Sequence, residues 1–128
     1  MSTDWPESTP VMDIDAFKDC IGNDAGLILE VIKLFQSDCQ RQRDRVYNAA
    51  ESKDPVELCS AAHAMKGAVS NFSAGPARRA AAALEEMGAN GDLSNVSEGC
   101  RLLDYELQRL HSALAELSAG GHCGLSTR

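Results

Sequence analysis

Residues 94–117, SNVSEGCRLLDYELQRLHSALAEL, carry the clearest periodicity in the chain. Val96, Cys100, Leu103, Leu107, Leu110, Leu114 and Leu117 follow one another at alternating steps of four and three. That spacing lines them up along one stripe of an α-helix. At 1.5 Å per residue such a helix is about 35 Å long. A stripe that long needs other helices packed against it, and the rest of the chain supplies them. β-branched residues are few, alanine is abundant, and no stretch alternates with period two.

Working upstream, Leu58, Ala62, Met65, Val69 and Phe72 repeat the four-three steps. Asp54 is a good helix cap, and Pro55 suits the first helical position, where its missing N–H costs nothing. Ser73-Ala74-Gly75-Pro76 ends this helix. The next one starts at Pro76, turns Ala77, Ala81, Leu84 and Met87 inward, and stops in the turn at residues 88–91. Nearer the N-terminus, Asn23 or Asp24 caps a long helix ending near Ser52. Its inward face reads as Leu27, Ile28, Val31, Leu34, Phe35 and Val46, with residues 40–45 solvated, Arg41, Arg43 and Arg45 among them. A short helix runs from Asp13 to about Ile21. The expected fold is all-α: an antiparallel up-down four-helix bundle over residues 13–117 with a short extra N-terminal helix. Residues 1–12 read as a flexible arm, with Trp5 as its anchor, and residues 118–128, with three glycines, as a flexible tail.

The chain has 128 residues, enough for one domain with its own core. Its net charge is −7. That disfavours nucleic acid, which needs a cationic surface to neutralise phosphates, and it disfavours an anionic membrane surface. No apolar run reaches the roughly 18 residues of a membrane span, and the acidic N-terminus is unlike a secretory signal, so a cytoplasmic location is expected. Five widely spaced cysteines without a CxxC pair read as reduced thiols.

One local rule is broken. Gly67 lies well inside the helix of residues 55–72, where glycine costs about 1 kcal/mol relative to alanine. His63, Lys66, Gly67 and Ser70 share one stripe, displaced about 100° from the buried seam. A neutral imidazole is a nucleophile near pH 7, the glycine clears space beside it, and the ammonium can hold an anion. Nucleophile, clearance and cation together suit phosphoryl transfer, which depends on positioning and charge neutralisation.

The segment His63-Ala64-Met65-Lys66-Gly67-Ala68-Val69-Ser70-Asn71-Phe72 resembles the signature of histidine-containing phosphotransfer (HPt) domains. Leu84-Glu85 resembles the family's Leu-Glu on the following helix, and Gly91 its turn glycine. Leu34-Phe35 and the Asp54-Pro55 helix start also fit. The resemblance implies that His63 accepts a phosphoryl group at Nε2, that Lys66 helps hold it, and that Gly67 gives the partner access. It implies receiver domains of response regulators or hybrid kinases as partners. Those supply Mg²⁺, so the chain needs no metal, nucleotide or other cofactor of its own and is a relay intermediate without kinase activity. Two positions depart from the family: Ser73 stands where Gly is usual, and Ala64 where a hydroxyl residue is commoner.

Ser60, Ala64, Ala68 and Ala74 offer a small or apolar docking surface beside His63. Ser70 and Asn71 are candidates for orienting the imidazole or the phosphate, and Arg78 and Arg79 for steering an acidic receiver. His111 reads as an ordinary flank residue. Cys59 and His63, one turn apart, could share a metal, but no second pair accompanies them, and His122-Cys123 supplies two ligands only. A monomer is expected. A helical scaffold that binds a receiver without being phosphorylated is the competing function. A metal-carboxylate enzyme would need Glu-x-x-His motifs, which the sequence lacks, and a kinase would need a phosphate-binding glycine loop.

Overall fold

A computed structural model describes residues 11–123, with side chains to residue 118. It contains five helices: α1 (Ile14–Ile21), α2 (Ala25–Glu51), α3 (Pro55–Ser70), α4 (Gly75–Asn90) and α5 (Val96–Cys123). The four long helices close a ring in which α3 packs between α2 and α4, and α5 completes the square against both. Among the described residues, no helix is long and apolar enough to cross a membrane.

The helix starts lie where the sequence puts them. Asp13, Asp24 and Asp54 each accept a hydrogen bond from a first-turn N–H, those of Ala16 (3.0 Å), Leu27 (3.1 Å) and Glu57 (3.1 Å). Asp24 rather than Asn23 caps α2, because Asn23 follows Gly22 in the left-handed region. The seams of α3 and α5 pack as read: Leu58, Ala62, Met65, Val69 and Phe72 face Leu103, Leu107, Leu110 and Leu114 across a closed interior. α1 covers one end of the bundle. Phe17 meets Phe72 with ring centroids 5.2 Å apart, and the Asp13 N–H donates to the Ser73 carbonyl at 2.9 Å.

Four expectations need correction. The inward face of α2 is Ile28, Ile32, Phe35, Cys39, Val46 and Ala49; Leu27 and Leu34 are exposed, Leu34 at 65%. The sequence offers two overlapping apolar stripes there, and only the second continues for the whole helix, so it is the one buried. Val11 and Met12 do not belong to a flexible arm, because Met12 is buried and Val11 packs on the core. Residues 1–10, Trp5 included, lie outside the described residues. α4 passes through Gly88 and ends at Gly91, whose φ of 71° is the left-handed C-cap. α5 continues beyond Leu117 to Cys123. Gly120 and Gly121 lower its propensity but remove no hydrogen-bond donor, so the ladder is not broken there. The side chains of His122 and Cys123 and all of residues 124–128 lie outside the described residues.

Ser73 accounts for the family's glycine at its position. Its φ is +52°, in the left-handed region where a Cβ is strained. The turn holds because the Ser73 N–H donates to the Ser70 carbonyl at 3.0 Å and the Ser73 carbonyl accepts from Asp13.

Candidate functional site

Burial of Ala62 and Met65 rotates the intervening position outward, so the His63 side chain stands 68% exposed on the α3 surface. Across the α3–α4 contact, Glu85 meets it. His63 Nδ1 lies 2.8 Å from Glu85 Oε2, and Lys66 Nζ lies 2.7 Å from Glu85 Oε1. One carboxylate thus bridges both candidate side chains of the stripe. The Lys66 hydrogen bond above all holds the Glu85 carboxyl below the usual carboxylate range; burial opposes it, and the His63 hydrogen bond and the two nearby charges add to the lowering. An ionised carboxylate only accepts hydrogen bonds, so the Nδ1 facing it carries the proton. In the neutral ring that leaves the lone pair on Nε2.

Gly67 is not a requirement of the fold. A Cβ built there meets no atom within 4 Å, and its φ is not positive. No internal contact offsets the helix cost of this glycine. What it provides is open space one turn from the imidazole.

His63 stands between two clefts. On the α2 side, Leu34, Asp38, Gln42, Ala64, Gly67 and Asn71 line one of about 460 Å³. On the α4 side, Val56, Cys59, Ser60, Glu85 and Gly88 line one of about 420 Å³ that includes His63 itself. Among the described residues, no group of three or more His, Cys, Asp or Glu side chains could hold a metal ion.

Residues 30–118 match the family model described as Hpt domain. The chain belongs to this family. Comparison with curated proteins and with solved structures gives no match. Hpt domains are phosphotransfer carriers of two-component phosphorelays and interact with receiver domains.

In this Hpt domain the remaining candidates separate by position. Ala64 is half-buried and Asn71 exposed, both lining the α2–α3 cleft. Ser60 is exposed, and its Oγ accepts from Arg45 Nη2 at 3.0 Å. Ser70 does not face the imidazole: its hydroxyl donates to the Lys66 carbonyl at 2.7 Å, back along its own helix. Ala74 is 1% exposed and belongs to the core, not to a docking surface: it is the N-cap position of α4, where the α3–α4 turn joins the buried cluster. Arg78 is exposed and Arg79 half-buried. Both precede Glu85 by six or seven positions on α4, which sets them about 10 Å along the axis from the level of His63. The basic run of α2 is also more than a solvated face. Arg45 Nε pairs with Glu57 at 2.7 Å, Arg43 Nη1 reaches Asp104 on α5 at 2.8 Å, and Arg41 pairs with Asp38.

Glu85 is the member of the candidate site that residue spacing missed. It lies 22 positions from His63 on another helix, beyond any helical periodicity. Its only sequence signal was its place in the Leu84-Glu85 pair.

Proposed function

We propose that this Hpt domain is a relay intermediate that takes a phosphoryl group onto His63 from the aspartyl phosphate of one receiver and passes it to the aspartate of another. The Nε2 lone pair attacks phosphorus; the N–P bond forms as the O–P bond to the receiver's aspartate breaks, and the electron pair leaves with the aspartate as a carboxylate. Nδ1 keeps its proton. The neutral ring thereby becomes an N-phosphorylated imidazolium, and its positive charge develops directly against the Glu85 carboxylate. Lys66, beside the same carboxylate, is placed to exchange Glu85 for the incoming phosphoryl oxygens. The receiver brings Mg²⁺, and the chain contributes no metal, nucleotide or autokinase activity. Return transfer reverses every step.

The observation that carries this function is the 2.8 Å contact from His63 Nδ1 to Glu85 on an otherwise exposed ring, which fixes the tautomer with a nucleophilic Nε2. A chase experiment tests it. Protein labelled by a phosphorylated receiver and then mixed with a second, unlabelled receiver should pass its label on. Label that decays only to inorganic phosphate in the presence of several receivers would exclude a relay.

A further inference from the structure

Glu85 reaches His63 across a close contact between α4 and α3, and a single residue permits that approach. Gly88 is buried within α4, one turn beyond Glu85. A Cβ built on it would lie 2.6 Å from the Cys59 nitrogen, 2.6 Å from the Pro55 carbonyl oxygen and 2.9 Å from the Cys59 Cα. All three are backbone atoms of α3, so no side chain can swing aside. Only separation of the helices relieves the contact. Gly67 differs in kind, since a Cβ there meets nothing. So does Gly99, whose Cβ would press on the tips of Leu84 and Met87, which can move.

The distances link this contact to the chemistry. Bringing a 2.6 Å approach out to ordinary contact at 3.4 Å moves α4 by about 0.8 Å. A carboxylate carried outward with α4 by that amount would stand about 3.6 Å from Nδ1 instead of 2.8 Å, beyond a hydrogen bond. Lys66, which holds the other oxygen of Glu85 at 2.7 Å, also belongs to α3, so moving α4 outward stretches both contacts of the carboxylate together.

We infer that Gly88 is a positioning residue for phosphoryl transfer: by letting α4 touch the α3 backbone it holds the Glu85 carboxylate within hydrogen-bond reach of His63 Nδ1. This rests on the relay function proposed above and adds to it the element that sets the site's spacing. Gly88 touches no reacting atom. It acts through Glu85, so its effect on transfer is bounded by that of removing Glu85.

The test is a mutant cycle on the full chain with two readouts. Glu85→Ala, Gly88→Ala and the double variant are compared for the rate of label acceptance from a phosphorylated receiver. ¹⁵N NMR of the neutral ring reports the His63 tautomer without any transfer. Gly88→Ala should slow acceptance five- to thirtyfold, lose the preference for the Nδ1–H tautomer, and add nothing further in the Glu85→Ala background. Leu114→Ala, a core truncation near the far end of α5, should lower stability and leave the tautomer and rate unchanged. Should Gly88→Ala not fold, even in a Ser73→Gly background, Glu85→Asp decides: it withdraws the carboxylate by one methylene without disturbing the helix contact, and should give the same loss.

A wild-type tautomer and rate in folded Gly88→Ala overturn the inference. So does equal slowing with and without Glu85, or, where Gly88→Ala cannot fold, wild-type behaviour of Glu85→Asp. Wild-type protein that accepts no label refutes the relay function instead, and the tautomer measurement then judges the spacing role of Gly88 alone.

Discussion

Removing the Glu85 carboxylate should slow phosphoryl acceptance without unfolding the domain. Attack by Nε2 turns a neutral ring into a cation. Its charge centre and that of the carboxylate are about 4 Å apart, a separation worth about 1 kcal/mol in water and about 4 kcal/mol at the effective dielectric of a protein surface. The His63 side chain is 68% exposed, which favours the lower figure, while a docked receiver excludes water and raises it. A barrier increase of about 1–2 kcal/mol corresponds to a five- to thirtyfold slower reaction. Glu85→Gln should fall between wild type and Glu85→Ala, because its carbonyl can still accept from Nδ1–H but carries no charge. Loss of Glu85 also frees Lys66, so each variant is paired with Lys66→Ala to separate the two effects. Rapid-quench measurement of label transfer at saturating receiver gives the rate of the chemical step. Acceptance by Glu85→Ala within twofold of wild type, with Lys66→Ala equally indifferent to Glu85, refutes the electrostatic role assigned here.

Further outcomes can be measured on the same protein. Gly67→Leu should fold with a thermal midpoint equal to or above that of wild type, since it removes a mid-helix glycine from open space, yet lose at least tenfold in transfer because the added side chain stands where the receiver must approach. Ser73→Gly should gain about 1 kcal/mol, or about 4 °C in melting temperature, by relieving a side chain at φ +52°. His111, stacked on Phe35 at 5.5 Å, has its pKa lowered from 6.5, by burial first and then by Arg43. The unfolded chain therefore binds this proton more readily than the folded one. Stability should be full above about pH 7 and fall on acidification through 6.5 towards the depressed folded value. Urea titrations should show a shallower loss between these pH values in His111→Gln.

Most of the bundle was legible because its seams are redundant. α3 and α5 each repeat the four-three spacing for several turns, and three aspartates mark the helix starts with side chains that accept from first-turn N–H groups. α2 misled because Leu27 and Leu34 form a second apolar stripe, and periodicity alone does not say which stripe a partner covers. The exposed Leu34 lines the cleft beside Gly67. At the site, the His63–Lys66–Gly67 stripe is a property of one helix and could be read directly. The bridge to Glu85 and the close passage at Gly88 depend on the distance between two helices, which no local pattern encodes. The sequence places Gly88 in the turn at residues 88–91, where only Gly91 proves to be the cap: a glycine near a turn carries the same letter whether it caps a helix or admits a neighbour's backbone. Ser73 shows the converse. Its departure from the family's glycine was visible in the sequence, but the left-handed φ that makes the departure costly was not.

The central claim, a phosphohistidine at residue 63, is tested most directly by incubating wild-type protein and His63→Gln with a phosphorylated receiver domain and probing the bound label for its chemical stability. Acid-labile, base-stable label on the wild type and none on His63→Gln is the predicted result. Equal label on both proteins, or none on either while receiver binding is still detected, would contradict it.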